Sequence, residues 1–181
     1  MFLNRNSPGA RVAWTAVPLM ILMVGCAPAL DWREVRAPGT SVQVLTPCKP
    51  ATQQRQLPLA GVPAVVTLQA CSAGGSTWAM VSADVVDPAR VGSALQELSA
   101  ASARNVGAKG AVASAFAPPG ATPNAYSLRV RMTGQMPDGS AAQLESAVFS
   151  HGTWVFQATV LGEKADAEAA DAFFASLRVM P

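Results

Sequence analysis

The chain has 181 residues, room for one ordinary domain beside a targeting segment but not for two domains. Half of it is hydrophobic and only 13% is charged, a composition that excludes a disordered chain. Thirteen Lys and Arg stand against 11 Asp and Glu, and no basic run is present that could follow a phosphate backbone, which excludes nucleic acid as a partner.

The first 25 residues read as an export signal. Met1 to Arg11 carry Arg5 and Arg11, and an apolar stretch of 14 residues, VAWTAVPLMILMVG, runs up to Cys26. A retained membrane span needs about 20 apolar residues. This run is shorter, holds Pro18, and soon gives way to Asp31-Trp32-Arg33-Glu34. Met23-Val24-Gly25-Cys26 resembles the lipobox of bacterial lipoproteins, with a small residue at the cut and the cysteine after it. The resemblance implies cleavage before Cys26 and a diacylglycerol on its thiol. It also implies that the membrane is a partner through that lipid. Ala27 stands where an inner-membrane retention signal has Asp, so the implied address is the outer membrane, facing the periplasm. The alternative is cleavage after Ala27-Pro28-Ala29, before Leu30, releasing a soluble periplasmic protein; proline inside that site restricts the residue before it and makes it the poorer substrate. Loss of Arg5 and Arg11 leaves 156 residues with 11 basic and 11 acidic side chains, a near-neutral domain.

The expected organisation is signal 1–25, lipidated N-terminus and short tether 26–39, and one domain over 40–181. Trp32, six residues from Cys26, either meets the lipid headgroups or packs on its own domain. Cys48 and Cys71 remain in an oxidising compartment, which suggests one disulfide. Closing that loop would contribute roughly 3 kcal/mol by restricting the unfolded chain; two buried free thiols are the alternative.

Val42 and Val44 mark a short strand before the turn Pro47-Cys48-Lys49-Pro50, and 53–57 is a polar edge strand. AVVTLQAC over 64–71 and TWAMVSADV over 77–85 form a hairpin around Gly74-Gly75, which supply the positive φ values a tight turn demands. Asp87-Pro88 opens a helix whose Val91, Leu95, Leu98 and Val106 recur at helical spacing, with Ala94 and Ala101 on the same face and Gly107 as its stop. Residues 108–124, rich in small residues and proline, read as a connecting loop. Tyr126, Leu128, Val130 and Met132 alternate with Ser127, Arg129, Arg131 and Thr133 in a half-buried strand. Pro137-Asp138-Gly139-Ser140 is a turn, and strands over 144–149 and 153–161 flank Ser150-His151-Gly152. Asp166 caps a last helix bearing Phe173, Phe174 and Leu177, and Arg178-Val179-Met180 closes the chain as a strand.

Strands, helix, strands, helix, with hairpin-length turns, predict an α+β domain: an antiparallel sheet with two helices packed on it. The pattern Ala172-Phe173-Phe174-Ala175-Ser176-Leu177-Arg178, with the early strand and Pro47-x-x-Pro50, resembles the PsbP-like α/β/α sandwich. That resemblance implies an accessory binding role with no catalytic residues to carry over.

The inventory for chemistry is thin. His151 is the only histidine and sits in a turn, with no G-x-S-x-G elbow to accompany a triad. Asp84 and Asp87 are close, but Asp87 serves as a cap; Asp166, Glu168 and Asp171 suit the dipole at a helix start. Gly74-Gly75 lacks the surroundings of a phosphate loop. No zinc, haem or flavin pattern occurs, and no metal or cofactor is expected. Trp154 and Phe156 read as core. Arg129 and Arg131 share a strand face and could bind an anion jointly. The expected function is an anchored envelope lipoprotein without enzymatic activity, an accessory or protein-interaction module with an envelope protein as partner. The alternative is a periplasmic binding module for a lipid, glycan or small anion, using Arg129 and Arg131 or the Pro-rich loop 117–123.

Overall fold

A computed structural model describes residues 30–181; the export signal and Cys26 lie outside the described residues. Ten strands and two helices follow in the order β1 (Arg33–Arg36), β2 (Val42–Thr46), β3 (Ala51–Leu59), β4 (Val62–Ala73), β5 (Ser76–Asp84), α1 (Val91–Asn105), β6 (Gly110–Ala115), β7 (Leu128–Gln135), β8 (Ala141–His151), β9 (Trp154–Gly162), α2 (Ala167–Ala175) and β10 (Arg178–Val179). Seven strands make one sheet in the order β3-β4-β5-β9-β8-β7-β6, and β1-β2-β10 make a smaller one. Every ladder is antiparallel. The fold is therefore mixed α+β and dominated by sheet. No described helix is long and apolar enough to cross a membrane.

Period-2 alternation sorts the central strands into two faces. Trp78, Met80, Ala147, Phe149, Phe156, Ala158 and Val160 meet Phe173 and Phe174 of α2 and Val42 and Val44 of the small sheet. Ala83, Val148 and Val155 on the other face meet Val91, Ala94 and Leu95 of α1. Further along that face, Val130, Met132, Ala142 and Leu144 close over Val106. The two helices thus pack on opposite faces of the large sheet, an arrangement the element order leaves open. Beneath α1 the buried Gln157 Nε2, with two hydrogens to donate, lies within hydrogen-bond distance of Leu98 O at 3.0 Å, Ser102 Oγ at 2.7 Å and Ser146 Oγ at 3.0 Å, which satisfies an amide that burial would otherwise penalise.

Local chemistry sets the element ends. Gly74 and Gly75 both have positive φ, 59° and 73°, at the tip of the β4–β5 hairpin. Asp87 Oδ1 accepts from Ala89 N at 2.9 Å, capping a short 3-10 turn over Pro88–Arg90 that leads into α1. Asp166 Oδ1 accepts from Glu168 N and Ala169 N at 3.0 and 3.2 Å, satisfying donors that have no carbonyl one turn back.

Two expectations need correction. Residues 108–124 are not loop throughout, because β6 pairs with β7 from Gly110↔Thr133 to Ala115↔Leu128. The described part of the expected tether contains β1, paired with β2 from Arg33↔Thr46 to Arg36↔Gln43. Both strands lack alternation for the same reason: neither has a buried face to demand it, β6 being exposed at all six positions and β1 at three of four.

Candidate functional site

β6 is the outer strand of the large sheet, and cavities flank it on both faces. On the α2 side, a cavity of about 590 Å³ is lined by Gly110 and Val112 of β6, Thr133 and Gln143 of the neighbouring strands, and Ala165, Ala167 and Ala170 at the start of α2. It exists because α2 lies over the middle of the sheet and its alanines are too short to reach the outer strands. On the α1 side, a cavity of about 340 Å³ lies between Ser99, Ala100 and Ala103 of α1 and Ala111, Leu128 and Val130 of the outer strands, with Tyr126 at its rim. Small residues on the α1 wall leave that space open.

Arg131 and Glu145 on the wall of the larger cavity belong to a ring of four charges completed by Arg129 and Asp171. Arg129 Nε donates to Glu145 Oε1 at 2.5 Å, and its Nη2 donates to Asp171 Oδ1 at 2.5 Å. Arg131 reaches the same two oxygens at 2.8 and 3.0 Å. Each carboxylate oxygen thus serves both guanidinium groups, and the ring is neutral. The Arg129 guanidinium also lies over the Phe174 ring, 4.4 Å from its centroid, a favourable approach to the negative face of the π-system. Arg129 and Glu145 are largely buried, at 19% and 10% side-chain exposure, whereas Arg131 and Asp171 are open to solvent. The ring ties α2 to β7 and β8.

The alternation of the Arg129/Arg131 strand puts these two arginines on one face, as their spacing implies. Their partners, Glu145 across the ladder and Asp171 on α2, are not visible as partners in the sequence, because one is 16 residues away and the other 42. An anion on these arginines would compete with two carboxylates already in place.

None of the remaining candidates lines either β6 cavity; Asp84 and Trp154 line a separate cavity of about 500 Å³ beside β4. Cys48 and Cys71 form a disulfide with Cα atoms 6.0 Å apart, joining the loop after β2 to β4. His151 is exposed at the end of β8, its Nδ1 3.1 Å from Gly120 O. Asp84 Oδ1 accepts from Val86 N at 2.8 Å, so Asp84, Asp87 and Asp166 each serve local backbone. Trp32 stacks edge-on against Trp78 with centroids 6.0 Å apart. Phe156 is fully buried and Trp154 partly so. The Pro-rich loop is tied down, with Thr122 N donating to Ser150 O at 2.7 Å and Pro119 O accepting from Val179 N at 2.9 Å. Among the described residues no cluster of three or more His, Cys, Asp or Glu could hold a metal ion.

No protein-family model matches the chain, and no curated protein matches it.

Proposed function

We propose that the protein is a lipid-anchored envelope lipoprotein acting as a non-catalytic interaction module, and that the β6 edge with its flanking cavities is its working surface. The observation that carries this reading is the cavity of about 590 Å³ beside α2. Its walls are mostly apolar side chains of β6, β7, β8 and α2, and the two charged residues that line it, Arg131 and Glu145, are paired with each other. Such a surface holds a shape, and its one carboxylate, Glu145, is already engaged by two guanidinium groups. The lipobox-like Met23-Val24-Gly25-Cys26 supports anchoring at Cys26, with the domain on the periplasmic side of the outer membrane. Helices on opposite faces of an antiparallel sheet support the PsbP-like resemblance and the accessory role it implies.

Cross-linked co-purification from intact envelopes tests the reading, comparing the natural chain with Cys26→Ser. The expected result is palmitate incorporation and a stoichiometric protein partner, both lost in the variant. Palmitate incorporation that persists in Cys26→Ser would remove the anchoring claim, and the absence of any partner in both forms would remove the module claim. A second reading, a carrier of a ligand with an apolar body, is favoured by the same cavity's composition and would be left standing by that last outcome.

A further inference from the structure

β6 is an unguarded sheet edge. Natural edge strands are commonly blunted by charge, proline or a bulge, because their free N–H and C=O groups template pairing with another chain. The opposite edge, β3, carries Arg55 and Pro58 and a run of glutamines. β6 reads GAVASA, with no charge, no proline and exposure at every position. Phe116 N donates to Ser127 O, so alternation along the β6–β7 ladder turns the N–H and C=O groups of Ala111, Ala113 and Ala115 outward.

Building on the interaction-module reading, we propose that β6 takes an extended polypeptide segment as an added antiparallel strand. The segment places successive apolar side chains in the two cavities and carries an acidic group near its C-terminal end. Successive residues of a strand point to opposite faces, and β6 separates a cavity on one face from a cavity on the other. An acyl chain could fill either space but would leave the outward backbone groups unpaired. Antiparallel addition, the geometry of every ladder in this sheet, sets the C-terminal end of the segment beside Lys109. Lys109 and Arg104 are exposed there, and neither has a carboxylate partner among the described residues. The Asp138 carboxylate, in the β7–β8 turn, is engaged by Ser140.

A second copy of the chain fits the edge less well. Gly110, Val112 and Ser114 on one face, with Ala111 and Ala113 on the other, are too small to fill either cavity. No acidic residue occurs between Val106 and Pro137 to meet Lys109.

The test uses the full-length chain in detergent micelles and a fluorescent seven-residue peptide with two central leucines between threonines and an aspartate at its C-terminal end. Saturable binding is expected, weakened at least tenfold by Ala113→Pro. That substitution removes an outward N–H without touching the β7 ladder, and an edge position tolerates it, so the melting temperature should hold as a check on folding. Lys109→Glu should weaken this peptide and favour one ending in lysine. Absence of saturable binding, or binding indifferent to Ala113→Pro, overturns the proposal. So does a concentration-dependent dimer of the natural chain that Ala113→Pro abolishes, which would give the edge to a second copy. A photo-cross-linker at Val112 and another at Gln56 on β3, used in intact envelopes, separate this failure from that of the broader reading. A partner captured only from Gln56 leaves the interaction module standing and removes the β6 edge from it.

Discussion

Replacing Gly134 by Ala probes the tightest of the described glycine sites, where the end of α1 meets β7. A methyl group at Gly134 would lie 1.9 Å from Val106 O and 2.9 Å from its carbonyl carbon. Carbon and oxygen need well over 3 Å, so the Val106 peptide must retreat by more than an ångström. That carbonyl accepts from Gln135 N at 2.8 Å, and Val106 itself is buried among Val130, Met132, Ala142 and Leu144. The retreat therefore strains a packed cluster and breaks one hydrogen bond. Overpacking costs about 1–3 kcal/mol and the lost bond about 1 kcal/mol, giving a destabilisation of about 2–4 kcal/mol for Gly134→Ala. In urea, with a slope of about 2 kcal/mol per molar, the unfolding midpoint should fall by about 1–2 M. Gly139→Ala is the control: a methyl group there meets nothing within 4 Å, but φ is +88°, so only backbone strain of about 1–2 kcal/mol is expected. If Gly134→Ala proves no more destabilising than Gly139→Ala, the close approach of Val106 is wrong.

Reduction of the Cys48–Cys71 disulfide should lower stability by about 3 kcal/mol, the loop-closure value for 23 residues; thermal melts with and without reductant, with thiol titration, check it. Within the charge ring, Glu145→Gln should cost about 2–4 kcal/mol because it removes the buried one of the two carboxylates that pair with Arg129. Asp171→Asn, at the exposed side, should cost under about 1 kcal/mol, and denaturant titration of both variants decides whether burial sets the order. The Asp138 carboxyl lies below its ordinary value of 3.8, chiefly because the Ser140 N–H, and then the Ser140 hydroxyl, bond to the charged form. A depressed folded value stabilises above the unfolded one and fades as pH falls through the folded one. Asp138→Asn should therefore lose stability at neutral pH relative to the natural chain and converge with it in strong acid, as acid-dependent melts would show.

Where the sequence alternates, the fold is legible. The β4–β5 hairpin with its paired glycines, the Asp166 cap and the alternating stretch through Val130 and Met132 all follow from local chemistry that tertiary contacts then reinforce. Counting cysteines, with an oxidising compartment expected, suggested the Cys48–Cys71 disulfide but left two free thiols as the alternative, which the structure replaces with a bond. β6 was hidden because GAVASA combines small residues of weak strand propensity with exposure on both faces, so neither packing nor pattern marks it. The cavities were hidden with it. An empty space is made by side chains that are absent, and only the placement of α2's alanines over the outer strands reveals one. The charge ring shows the remaining gap: the arginines are readable as a pair, but their carboxylates arrive through sheet register and helix docking.

The small sheet adds a constraint on the order of assembly. β2 takes one neighbour from just upstream and the other, β10, from 135 residues downstream. The first contact can form early; the second closes a loop containing the whole large sheet. The equilibrium penalty for such a loop grows only logarithmically, about 0.6 kcal/mol per doubling of length, so the long closure delays β10 more than it weakens it. Val42 and Val44 form the underside of this layer, which acts as a lid sewn on after the vessel is made. A chain that folds as it emerges therefore keeps that flank of its core unsealed until β10 has arrived.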